Sequence, residues 1–148
     1  MDAGIERWIL RYRNFANALE QLRQACDLES YSKLERAGLV QTFTFTFELA
    51  WKTLKDLLFA DGLTEHSPRG TLRQSLQQEY LTDDDCEDLL DALDKRNLLA
   101  QIYSEEAALL VEDLIKGKYF PALEGLEASL KARLGTSVYQ TALQWRKP

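Results

Sequence analysis

Apolar residues recur near the start of the chain at Ile5, Trp8, Ile9, Tyr12, Phe15, Ala16, Leu19 and Leu22, a spacing that places them on one face of a helix. The helix they predict ends past Cys26, where Ser30-Tyr31-Ser32 supplies a break and hydroxyl caps for a second helix. That second element begins ambiguously. Thr42-Phe43-Thr44-Phe45-Thr46-Phe47 alternates with period two and is built from strand-favouring residues. Yet no turn residue separates it from Glu48-Leu49-Ala50-Trp51-Lys52-Thr53-Leu54, and Phe43, Phe47, Trp51 and Leu54 trace one helical stripe through the boundary. A single helix from about residue 34 to 60, ended by Gly62, fits both segments. Phe45 and Leu49 fall beside the main stripe, as they would on a central helix or on one that lines a subunit contact.

Ser67-Pro68 reads as an N-cap followed by proline at the first helical position, opening a short helix with Leu72, Leu76 and Tyr80 at spacing four. Thr82 caps a fourth helix whose first turn carries Asp83, Asp84 and Asp85, carboxylates that complement the helix dipole. Its stripe of Cys86, Leu89, Leu90 and Leu93 continues into Asn97 and Ala100, flanked by Arg96 and Gln101, so polar groups are expected to enter where a core helix would carry leucine. Ser104, followed by Glu105 and Glu106, caps a last helix running through Val111, Ile115, Tyr119, Leu123, Leu126, Leu130 and Leu134, with a kink expected at Pro121. After Gly135 only Val138, Ala142 and Trp145 keep a weak pattern. The expectation is all-α: an antiparallel four-helix up-and-down bundle with one extra short helix over residues 1–135, then a C-terminal extension, 136–148, of undetermined structure.

Composition narrows the class. The 148 residues are 45% hydrophobic and 28% charged, which suits one soluble globular domain. No apolar run reaches the ~18 residues that would span a bilayer, and Asp2, Glu6 and Arg7 interrupt the N-terminus where a signal peptide would be apolar, so a cytoplasmic protein without membrane contact is expected. Cys26 and Cys86 sit at apolar helical positions as reduced core thiols. With His66 the single histidine, the chain lacks the means to build a zinc site, and no metal or cofactor is expected. A net charge of −6 excludes broad attraction to nucleic acid, so any contact with a nucleotide or RNA has to be local. Basic clusters occur at Arg7/Arg11/Arg13, Arg69/Arg73 and Lys95/Arg96, the first of which reads as the solvated face of a helix.

The candidate chemistry lies in Lys95-Arg96-Asn97-Leu98-Leu99-Ala100-Gln101-Ile102-Tyr103, which gathers a guanidinium, carboxamides and a phenol. Together with the opening helix, the Phe45-Thr46-Phe47-Glu48-Leu49-Ala50-Trp51-Lys52-Thr53-Leu54-Lys55 block and Ser67-Pro68-Arg69, it resembles the bacterial nucleotidyltransferase substrate-binding proteins of the HEPN superfamily. The motif there runs Arg, four residues, His, one residue, Tyr; here Arg96 and Tyr103 match its ends and Gln101 stands in place of the His.

The resemblance implies a homodimer working beside a minimal nucleotidyltransferase protein. Some relatives are metal-independent ribonuclease toxins, silenced when the partner attaches AMP to the motif tyrosine; in them the Arg steadies phosphate and the His moves a proton. A carboxamide hydrogen-bonds without titrating, so Gln101 can hold a ligand but cannot act as general acid or base. His66 is a loop residue, more in keeping with a solvated imidazole than with a replacement base. Glu48 and Lys52 read as an i,i+4 pair that gains interest only if it faces Arg96. The reading is therefore a non-catalytic substrate- or nucleotide-binding and interaction subunit of a toxin–antitoxin-like pair. Arg96, Asn97, Gln101 and Tyr103 are its binding residues and Tyr103 its modification site. Two alternatives stand beside it: a ribonuclease in which Arg96 stabilises phosphate, and a purely structural helical dimer.

Overall fold

The computed structural model describes residues 3–101 and 103–135. Helix α1 (Ala3–Cys26) buries Trp8, Phe15, Leu19 and Leu22, the stripe read from the sequence. At Ser32 the capping is reciprocal: the side chain accepts from the Glu35 N–H, and the Glu35 carboxylate accepts from the Ser32 N–H at 2.9 Å.

The strand-like Thr-Phe segment lies inside a single helix, α2 (Lys33–Ala60). Its threonines make this possible by turning their hydroxyls onto the preceding turn, where Thr44, Thr46 and Thr53 donate to the carbonyls of Val40, Thr42 and Leu49 at 2.9, 2.7 and 2.6 Å. Phe43 and Phe47 are then buried while Phe45 stays exposed. Gly62, at φ +88°, ends the helix: its own N–H reaches Phe59 O and the Leu63 N–H reaches Leu58 O, the paired bonds of a Schellman motif.

Ser67 caps α3 (Pro68–Gln77) with Pro68 in the first turn. Tyr80 does not continue that helix. Glu79 adopts φ +62° in a second Schellman-type ending, and Tyr80 enters the core from the turn, where Asp61 accepts its hydroxyl proton. Thr82 caps α4 (Asp83–Asp94), and Ser104 caps α6 (Glu105–Leu114).

Between them the expected continuous helix is broken at Lys95, and a one-turn helix, α5 (Arg96–Leu99), follows at a new phase. This corrects the predicted stripe: Leu99 takes the buried position, while Asn97 and Ala100 face outward. The bundle therefore carries two short helices, α3 and α5, where one was expected. Where a kink was expected at Pro121, the chain makes a π turn over Ile115–Tyr119 that leads into α7 (Phe120–Leu134).

Paired contacts set the direction of the four long elements. Arg7 meets Asp56 while Ala18 meets Thr46, so α1 and α2 are antiparallel; Asp85 meets Gly125 while Asp91 meets Tyr119, so α4 opposes the last helix. Trp8, Phe15, Phe43, Leu54, Leu89 and Tyr119 fill the common core. No described helix is long and apolar enough to cross a membrane. Val138, Ala142 and Trp145 lie outside the described residues.

Candidate functional site

The break at Lys95 shapes the candidate site. Swinging α5 away from the line of α4 opens a groove of about 350 Å³ against α2, with Phe43 and Phe47 at its base, Glu48 on the α2 wall and Arg96 on the other. Arg96 makes no hydrogen bond or ion pair among the described residues. Glu48 accepts a hydrogen bond from Trp51 Nε1 at 3.0 Å and lies 3.8 Å from Lys52 Nζ, so the predicted i,i+4 pair exists and shares its groove with Arg96. A largely apolar trough with one cation and one carboxylate on its walls suits a ligand that has a flat apolar part and a charged or hydroxylated end.

The base of the groove is braced from behind. Phe43 stacks on the buried Tyr119 ring, centroids 5.4 Å apart, and the Tyr119 hydroxyl donates to Asp91 Oδ2 at 2.7 Å. Lys95 and Lys118 also donate to Asp91. Burial alone would push the Asp91 carboxyl up, but hydrogen bonds from Lys95, Tyr119 and Lys118 outweigh it and hold the group at about 2. Burial and the same bond to Asp91 push the Tyr119 phenol well above its usual range, so it stays a donor. Asp91 thus ties the end of α4 to the π turn and fixes where α5 starts.

The four motif residues do not share one cavity. Arg96 lines the groove, and Asn97 and Gln101 are exposed beside it without lining it. Tyr103 is 86% exposed on a separate, broader depression of about 840 Å³, with Tyr31, Lys33 and Arg36. Ile102 lies outside the described residues. His66 lines a third cleft near the other end of α2, with Arg7 and Asp56. Among the described residues no group of three His, Cys, Asp or Glu side chains could hold a metal ion. Burial pushes both thiols up, Cys26 to about 11, which keeps them unreactive.

Sequence reasoning left two elements of this geometry out. Asp91 carried no motif signal. Asp56, a carboxylate inside the apolar run Leu54-Lys55-Asp56-Leu57-Leu58, did carry one: a charge at a buried helical position requires a partner. Those partners are Arg7 and Arg11, with Nε atoms 3.3 and 2.9 Å from the carboxylate, so two of the three arginines assigned to a solvated face are engaged.

Residues 10–132 match the family described as nucleotidyltransferase substrate binding protein like. The chain belongs to that family. The match spans α1 through α7 and includes the groove residues of α2, α4 and α5. The family's helical architecture is also that of a crystal structure from Thermus thermophilus, to which the chain is 30% identical with a TM-score of 0.70, covering 82% of this chain and 99% of that one. No curated protein matches significantly. Family membership makes the chain a partner-type subunit of a nucleotidyltransferase system in general terms.

Proposed function

We propose that this family member is a non-catalytic subunit that holds the acceptor substrate or nucleotide for a separate minimal nucleotidyltransferase, in the groove between α2 and the α4–α5 break. The observation that carries the reading is Arg96: a guanidinium with no protein partner among the described residues, over an apolar base and sharing its groove with Glu48. An unpaired Arg is suited to a phosphate or carboxylate because it offers a planar fork of donors. Gln101 supports binding over chemistry, since its carboxamide donates and accepts hydrogen bonds but does not titrate. Asn97 and Gln101 supply hydrogen bonds at the groove rim, and the exposed Tyr103 phenol is within reach of a modifying enzyme.

The functional unit is a homodimer. Its support is the unpartnered face where Phe45 and Leu49 line a shallow depression with Asn14, Asn17 and Gln21. Pairing with the transferase makes a toxin–antitoxin-like module in the cytoplasm.

The test is calorimetric titration of a minimal nucleotidyltransferase, with and without ATP, into wild type and Arg96→Ala. Binding weakened by the substitution, with thermal stability unchanged, supports the reading; equal affinity refutes the role of Arg96. The ribonuclease reading has one observation in its favour: Glu48 lines the same groove as Arg96, and a carboxylate is a residue type used as general base. Metal-independent RNA cleavage lost in Glu48→Gln would establish it.

A further inference from the structure

Roughly 20 Å along α2 from the Arg96 groove, a second cleft of about 220 Å³ opens between the start of α1, the end of α2 and the loop at residues 63–66. Its chemistry begins with Asp56, whose surface is only 6% exposed. One guanidinium would neutralise this carboxylate. Arg7 and Arg11 both approach it, although like charges four apart on a helix repel each other. Buried Asp56 Oδ2 makes no hydrogen bond of good geometry although Arg11 Nε lies 2.9 Å away, so two guanidinium groups with about ten N–H donors between them keep donors to spare.

The surplus faces the cleft. Arg7 is half exposed, and its guanidinium lies over the Phe59 ring, 4.9 Å from the centroid, which holds the fork in one plane. Lys55 lines the same cleft and makes no hydrogen bond or ion pair among the described residues. The other carboxylate on the cleft, Glu65, is turned onto the first turn of α3, where it packs against Gly70. Arg7 and Lys55 on the cleft, with Arg11 behind Asp56, thus set three cations against the two carboxylates Asp56 and Glu65, a local positive balance on a chain whose net charge is −6. A planar fork beside a mobile ammonium matches a phosphate dianion, which takes a bidentate contact from arginine and a point charge from lysine.

We propose that this cleft is a second binding site, distinct from the Arg96 groove, for the phosphate group of a small phosphorylated ligand. Arg7 and Lys55 hold the phosphate, and Asp56 orients Arg7. The half-exposed Phe59 ring, 53% accessible, gives the ligand's remainder an apolar surface to rest on.

The full chain is titrated with inorganic phosphate, AMP and adenosine at low salt, by calorimetry and by amide chemical shifts. Saturable binding of phosphate and AMP, with shifts at residues 63–66 and no binding of adenosine, is the expected result. AMP binding at least about tenfold tighter than phosphate assigns a nucleotide-type ligand; equal affinity assigns the phosphate alone. Lys55→Gln, which breaks no contact, should weaken binding about tenfold with an unchanged melting temperature, and Arg7→Gln should weaken it further. Arg96→Ala should leave the ligand-induced shifts at residues 63–66 intact, which separates the site from the groove. Absence of saturable binding into the millimolar range, or equal affinity for wild type and both cleft variants, overturns the proposal.

Discussion

Replacing Asp91 with asparagine should cost stability in a way that depends on pH, because the wild-type carboxylate is held in its charged form by three donors. Its folded value is about 2 against an ordinary 3.8. At ~1.36 kcal/mol per tenfold change in proton affinity, that lowering is worth on the order of 2 kcal/mol. The Lys95 and Lys118 side chains are more than a third exposed, so solvent screening reduces the gain to about 1–2 kcal/mol. The sign follows from linkage: a carboxyl with a lowered folded value stabilises the fold above 3.8 and loses that contribution as pH falls from 3.8 towards 2. Asparagine keeps an acceptor for the Tyr119 hydroxyl, so the comparison isolates the charge. Urea denaturation at pH 7 should find Asp91→Asn less stable by about 1–2 kcal/mol, a drop of about 2–8 °C in melting temperature for a domain of this size. At pH 3 the gap should shrink to about half. Tyr119→Phe should be non-additive with Asp91→Asn, because the two share one bond. A gap that is the same at pH 7 and pH 3, or no gap at pH 7, would refute the reasoning.

The other expectations are more local. Gly62→Ala should destabilise by about 1 kcal/mol because φ +88° strains any Cβ, whereas Glu79→Gly should stabilise by about 0.5–1 kcal/mol by relieving φ +62°; chemical denaturation measures both. Arg96→Ala should change stability by less than about 0.5 kcal/mol, since the side chain breaks no contact. Gln101→His, assayed for RNA cleavage, should add activity only if the remaining groups of a ribonuclease site are in place, and general acid–base transfer is worth about 10²–10⁴-fold. Light scattering should give a homodimer at micromolar concentration and a monomer for Phe45→Glu; a wild-type monomer would remove the role assigned to the Phe45 face.

The helices were legible because their signals are local. Ser32, Ser67, Thr82 and Ser104 each accept a hydrogen bond from the N–H three residues on, so cap and capped group are read within one short window. The Thr-Phe alternation was resolved by the apolar stripe that crosses it, and the hydroxyl bonds to the preceding turn explain why period two did not prevail. The break at Lys95 was not legible: Lys95-Arg96-Asn97 contains no Gly or Pro, and the change of phase comes from tertiary contacts, Asp91 holding Lys95 and Leu99 finding the core. For the same reason Arg96 was identified but its surroundings were not. Glu48 and Phe43 lie about fifty residues away in the chain, and only packing brings them to the groove. Arg7 and Arg11 were assigned to solvent because an arginine stripe looks the same in sequence whether it faces water or a buried carboxylate.

The π turn bears on how this chain can change length. A wide turn inside a helix is equivalent to one residue inserted between two regular segments, so the stretches on either side keep their facing while the excess is confined to Ile115–Tyr119. Gly117 stands in that turn with open space around it, whereas Tyr119 is anchored to Asp91 and Phe43. Pro121 favours the wide form, because tightening to a regular helix would drive its ring against the Gly117 carbonyl. Deleting Gly117 together with Pro121→Ala should therefore yield an uninterrupted helix whose two halves still point at the same neighbours, while a one-residue deletion in the middle of α2 would rotate everything beyond it by about 100° and misalign the groove. The last helix is where this fold can gain or lose a residue without losing its site.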